Sequence, residues 1–181
     1  ASMESGVAES VTDETLSLSF NFGSRTGTYT GDLVDGIPQG YGSFTTTNSD
    51  GDIWTYEGEW VDGHMSGNGS TTWDNGYYEI GIYADDAMNG YGQRSYQGIV
   101  YYEGNIVNDL PEGQGTLYND HGEIIFAGEF VGGFIRETAD DRNARVGAFK
   151  DQSIPCTRDD LFTACESGSS VRAQFTGTIL Q

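Results

Sequence analysis

Tyr56–Gly69 reads YEGEWVDGHMSGNG, and this stretch decides the fold. In a β-strand, residues i, i+2 and i+4 share one face, so Tyr56, Gly58 and Trp60 point the same way. Asp62-Gly63 supplies a turn, because glycine adopts positive φ without steric cost. The return strand places Gly67, Gly69, Thr71 and Trp73 on one face, and Asp74-Asn75-Gly76 marks the next turn. Two glycines on a face leave a groove, which the rings of an adjacent hairpin are expected to fill.

The same pattern recurs along the chain. YTGDLVDGIPQGYG starts at Tyr29, EIGIYADDAMNGYG at Glu79 and YEGNIVNDLPEGQG at Tyr102. A fifth copy, FAGEFVGGFIRE from Phe126, keeps the first half and loses the Gly-x-Gly. A period of 23 to 27 residues is the signature of a repeat architecture, in which each unit buries its apolar face only against its neighbours. The positions that define the repeats are Tyr29, Gly31, Gly40 and Gly42; Tyr56, Gly58, Trp60, Gly67 and Gly69; Gly81, Tyr83, Gly90 and Gly92; Tyr102, Gly104, Gly113 and Gly115; and Phe126, Gly128 and Phe130. Asp86 and Asp109 replace the turn glycine, and Asp is among the few residues that tolerate the left-handed region. Glu79 stands at a leading aromatic position, with Tyr77 and Tyr78 expected to take over the ring's role.

These residues resemble the MORN repeat (membrane occupation and recognition nexus) over residues 29–137. The resemblance implies an all-β fold: an elongated, twisted antiparallel sheet of tandem hairpins. It does not imply one function, because such repeats serve as scaffolds, dimerisation modules, lipid-associated segments and appendages of enzymes.

Outside the repeats, residues 1–15 are polar and read as a linker or disordered segment. Leu16, Leu18, Phe20 and Phe22 alternate on one face of a strand expected to cap the first hairpin, so the repeat domain is set at 16–137. Residues 138–181 read as a connector (Asp140–Arg145), a short helix near Pro155–Phe162 capped by Thr157, and a terminal strand from Val171 to Leu180. Val171, Phe175, Gly177, Ile179 and Gln181 resemble the opening strand of an OB-like domain of exported Firmicute proteins, which implies a second domain cut short. Cys156 and Cys165 form a candidate disulfide. An unbroken helix would hold them about 13 Å apart, whereas a bridge needs Cα atoms about 4.4–6.8 Å apart, so the bridge limits the helix to about two turns.

The net charge of −20 is concentrated at the front: residues 1–136 hold 21 acids against three arginines. Nucleic acid and anionic membranes require a basic face, and neither is expected as a partner. The single lysine and the abundance of Ser, Thr, Gly, Asn and Tyr point to an extracytoplasmic, secreted or cell-surface setting.

Candidate chemistry is sparse. Asn48–Asp52 and Asn119–Glu123 gather oxygens suited to calcium, but they lack the spacing of an EF-hand loop and sit where turns are expected. Cys156, Cys165, His64 and His121 have no zinc-ligand spacing. Glu57, Glu59, Glu103 and Glu129 alternate outward without singling out a catalytic pair. The reading is therefore a non-catalytic binding or scaffold module with no metal or other cofactor, mediating interaction with a protein partner or self-association, or acting as a spacer. The alternative is a carbohydrate-binding module at the bacterial cell surface that uses the exposed members of the aromatic set; a glycoside hydrolase, with Trp54, Trp60 and Trp73 stacking on sugar rings, is less favoured.

Overall fold

A computed structural model describes residues 6–141 and residue 144. The fold is all-β, as the repeat pattern predicts. The chain divides into two compact units on either side of the Ala87/Met88 junction.

The first unit holds β1 (Ala8–Phe20), β2 (Gly23–Val34), β3 (Ile37–Thr47), β4 (Ile53–Val61), β5 (His64–Trp73) and β6 (Tyr77–Ala84). Each strand pairs antiparallel with the next in the chain. The second unit holds β7 (Ala87–Tyr96), β8 (Ile99–Val107), β9 (Leu110–Tyr118), β10 (Ile124–Val131) and the two-residue β11 (Phe134–Ile135), paired in the same manner.

The turns follow the chemistry of their residues. Asp35-Gly36, Asp62-Gly63, Asp85-Asp86, Asn108-Asp109 and Gly132-Gly133 all have positive φ at both positions. This is the two-residue type I′ turn, whose twist matches that of paired strands. Asp86 and Asp109 take φ of 72° and 65°, so aspartate does substitute for the turn glycine.

One face of each sheet is the core. In the first unit it carries Tyr29, Phe44, Trp54, Tyr56, Trp60, Met65, Trp73 and Tyr83, all buried. Phe20, at the end of β1, packs against Phe44, Trp54 and Trp60 with ring centroids 5.6–6.2 Å apart. The Asn21 N–H donates to the Asp86 carboxylate at 2.8 Å, and its side-chain amide donates to the Asp85 carbonyl at 2.7 Å. The first-unit sheet thus curls until its first turn meets its last. In the second unit, Met88, Tyr102, Ile106, Leu117 and Phe130 fill the core, and the Phe130 ring meets Tyr102 and Phe126 edge-on.

Glycines line up across the ladders: Gly31, Gly42, Gly58, Gly69 and Gly81 are successive register partners in the first unit. Gly92, Gly104, Gly115 and Gly128 repeat the row in the second. The ring above each pair comes from its own hairpin, not from an adjacent one as the sequence suggested. A Cβ on Gly69 would fall 2.5 Å from the Tyr56 ring, and one on Gly42 would fall 2.4 Å from the Tyr29 hydroxyl.

The expectation that both glycines of Gly-x-Gly line the groove is also corrected. Gly67 has φ of +57°, and its Cβ would meet the Glu59 carboxylate instead. The register shows why: Gly58 pairs Gly69 while Glu59 pairs Ser66, so Gly67 and Asn68 form a bulge. Bulged strands use glycine where a left-handed residue is needed. The bulge leaves ladder carbonyls exposed, and the repeat tyrosine reaches them. Tyr29, Tyr56 and Tyr102 hydroxyls lie 3.0, 2.9 and 2.6 Å from the carbonyls of Asp32, Glu59 and Asn105.

Three further expectations change. Residues 8–15 are not a linker: they extend β1 along β2, with a register shift between Val11 and Glu14. Their polar side chains conceal a strand held by its backbone ladder. Glu79 is not replaced by Tyr77 or Tyr78; it is itself buried and accepts a hydrogen bond from the Tyr83 hydroxyl at 3.2 Å. Residues 139–141, read as connector, begin a helical turn whose Asp141 N–H donates to the Thr138 hydroxyl at 3.1 Å, an N-cap. The helix near Pro155–Phe162, the Cys156–Cys165 bridge and the OB-like strand lie outside the described residues.

Candidate functional site

With the inner face filled by rings, the opposite face of each sheet is the surface that can meet a partner. Strand alternation places Glu57 and Glu59 there beside buried Tyr56, Gly58 and Trp60. It also exposes the middle residue of Gly-x-Gly. Tyr41 and Tyr91 occupy that position, and they remain 62% and 55% exposed.

Each of these tyrosines is tied to a carboxylate on the next strand. The Tyr41 hydroxyl donates to Glu57 at 2.9 Å. The Tyr91 hydroxyl donates to Oε1 of Glu103, and the Gln93 amide donates to Oε2 of the same carboxylate at 2.9 Å. The hydrogen bond to Glu103 pushes the Tyr91 hydroxyl up to about 12, and Glu57 raises Tyr41 in the same way. Both tyrosines therefore stay neutral donors at ordinary pH, with their carboxylates oriented.

In the second unit Glu103 stands between two shallow depressions of about 420 and 350 Å³. Ile99, Tyr118 and His121 border one; Tyr91, Gln114 and Thr116 border the other. Nothing in the Gly-x-Gly spacing marked Tyr41 and Tyr91 as surface residues in advance. The available signal was parity, since x faces away from the second glycine.

Other candidate groups are structurally occupied. Asn48 Oδ1 accepts the N–H groups of Asp50 and Asp52 at 3.0 and 2.9 Å. Asn119 Oδ1 accepts those of His121 and Glu123, both at 2.9 Å. The two segments are one loop design, an Asx turn closed by its own backbone. Among the described residues no group of three or more His, Cys, Asp or Glu side chains could hold a metal. His64 Nδ1 lies 2.7 Å from the Asp86 carboxylate. Trp54, Trp60 and Trp73 are at most 2% exposed, which removes them as platforms for sugars.

Four segments, residues 29–51, 56–76, 80–98 and 102–123, match the MORN repeat family. Residues 29–123 are a run of MORN repeats. The hairpin from Phe126 lies beyond the match, yet it continues the glycine row through Gly128 and closes on the Gly132-Gly133 turn. MORN repeats are in general protein-interaction or scaffold modules, and the residues conserving the pattern here serve turns, bulges and ring packing. No curated protein matches the chain.

Proposed function

We propose that this chain is a non-catalytic MORN-repeat binding or scaffold module, working outside the cytoplasm, that docks a protein on its outer sheet face. The observation that supports this is the exposed tyrosine on each unit, Tyr41 and Tyr91, held by a hydrogen bond to a carboxylate on the next strand. Aromatic side chains supply contact area at low entropic cost, and tyrosine is enriched where proteins meet. The outer-face acids give no attraction to nucleic acid or an anionic bilayer.

Photo-crosslinking tests the reading. A benzophenone amino acid placed at position 41 or 91 of the full chain, in its native setting, is expected to trap a polypeptide. The same group at Thr26 is expected to trap much less. Equal labelling from all three positions, or no protein adduct from any, overturns it.

A further inference from the structure

We infer that the outer face of each unit takes a basic polypeptide segment, whose Arg or Lys side chains bind at the Tyr41–Glu57 pair in the first unit and at the Tyr91–Glu103 pair in the second. This rests on the reading of the outer face as a protein-docking surface. Each pair offers a cation two complementary groups: an exposed aromatic ring and a carboxylate already oriented by a hydroxyl. Guanidinium and ammonium groups favour that combination, through attraction to the ring face and charge-assisted hydrogen bonding.

The described residues do not supply the cation themselves. Among the described residues there is no lysine, and the three arginines up to residue 136 are placed elsewhere. Arg25 lies 5.6 Å from the Phe22 ring centroid, Arg94 is buried, and Arg136 pairs with Glu129 at 3.3 Å. Glu57, Glu59 and Glu103 have no ion-pair partner among the described residues.

A second copy of the chain is a poor occupant, because its face carries the same sign of charge and would be repelled. An acidic partner is excluded by the same argument. A basic segment brings the opposite sign, and each unit carries its own Tyr–Glu pair to receive a cation, on β3/β4 in the first and on β7/β8 in the second.

The test uses the full chain and a fluorescein-labelled dodecapeptide of alternating Arg and Ser, read by anisotropy at moderate salt. Binding is expected, and Glu57→Gln with Glu103→Gln should weaken it by roughly tenfold or more, since losing about 1.4 kcal/mol is tenfold. Tyr41→Ser with Tyr91→Ser should weaken it comparably. The control is Glu9→Gln with Glu14→Gln on β1, which removes the same charge from exposed positions and should change affinity less than about threefold.

Equal weakening by the control means that the peptide senses only net charge, and this overturns the inference. So does absence of binding to the unmodified chain. An uncharged oligosaccharide that binds the chain and is lost in the tyrosine variant, but not in the glutamine variant, would assign the face to glycans and also overturn it. If the basic peptide fails while position 91 still crosslinks to a protein without a basic segment, only this inference falls and the docking face stands.

Discussion

The Asp86 carboxylate accepts the backbone N–H of Met65 at 2.9 Å, and the Asp86 N–H returns a bond to the Met65 carbonyl at 3.1 Å. Asp109 and Met88 repeat the exchange, at 2.8 and 3.1 Å. Where the turn residue is glycine the equivalent partner is proline: Gly63 donates to the Pro38 carbonyl and Gly133 to that of Pro111. Proline has no N–H to satisfy, so no carboxylate is needed. The turn residue of one repeat and the post-turn residue of the repeat before it form a matched pair, Asp with Met or Gly with Pro.

The pairing predicts coupling. Asp109→Gly leaves the Met88 N–H without its acceptor and is expected to cost about 1–3 kcal/mol. Met88→Pro removes the donor and a buried side chain. In the double variant neither partner of that bond is left unpaired, so its cost should be at least about 1 kcal/mol below the sum of the single costs. Urea unfolding of the four proteins measures the cycle, and strict additivity would dismiss the pairing as coincidence.

The two glycines of Gly-x-Gly should respond differently to substitution. Gly67→Asn places a residue that tolerates positive φ at a bulge facing the end of the Glu59 side chain, and it should cost less than Gly67→Val by about 1 kcal/mol. At Gly69 the obstacle is the Tyr56 ring, so Asn and Val should both be harmful, by about 1–3 kcal/mol. Thermal melts of the four variants decide it; the same ranking at both sites would contradict the division of roles.

The sequence made the repeats legible because turns and strand faces depend on local residue types. Asp62-Gly63 signals its turn, and Tyr56, Gly58 and Trp60 signal a face through parity alone. The bulge at Gly67 was hidden, since a two-residue shift depends on how Glu59 registers with Ser66 across the hairpin. Strand β1 was hidden for a related reason: Glu9, Asp13 and Glu14 look like solvated linker until the partner strand is known. The exposed Tyr41 and Tyr91 are aromatic like the buried rings, and only their orientation separates them.

The Asn119 loop gives a prediction about metals. Its side-chain oxygen already accepts two N–H groups, and its amide donates to Glu123 at 2.8 Å. Asn119→Ala should therefore destabilise the fold by about 1–3 kcal/mol through buried donors left unpaired. Millimolar calcium should leave the melting temperature of the unmodified chain unchanged. A calcium-dependent rise that vanishes in Asn119→Ala would reassign the loop as a metal site.

Alkaline pH should unfold the protein through its buried tyrosines. Burial, with a smaller contribution from nearby Asp32, pushes the Tyr29 hydroxyl up to about 12, and burial raises Tyr56 and Tyr102 as well. The unfolded chain titrates near 10, so between about pH 10 and 12 the unfolded state has released protons that the folded state still holds. Proton release then favours unfolding: the stability contributed by these neutral hydroxyls is fully present below pH 10 and is lost as pH rises through the folded values. Tyr91 is raised by its bond to Glu103 rather than by burial, and its solvent exposure makes it a poor source of stability. Urea midpoints should accordingly fall steeply above pH 10 in the unmodified chain. Tyr56→Phe, whatever it costs at neutral pH, should flatten that fall, whereas Tyr91→Phe should leave its slope unchanged. Equal slopes in all three proteins would show that the core tyrosines do not govern alkaline unfolding.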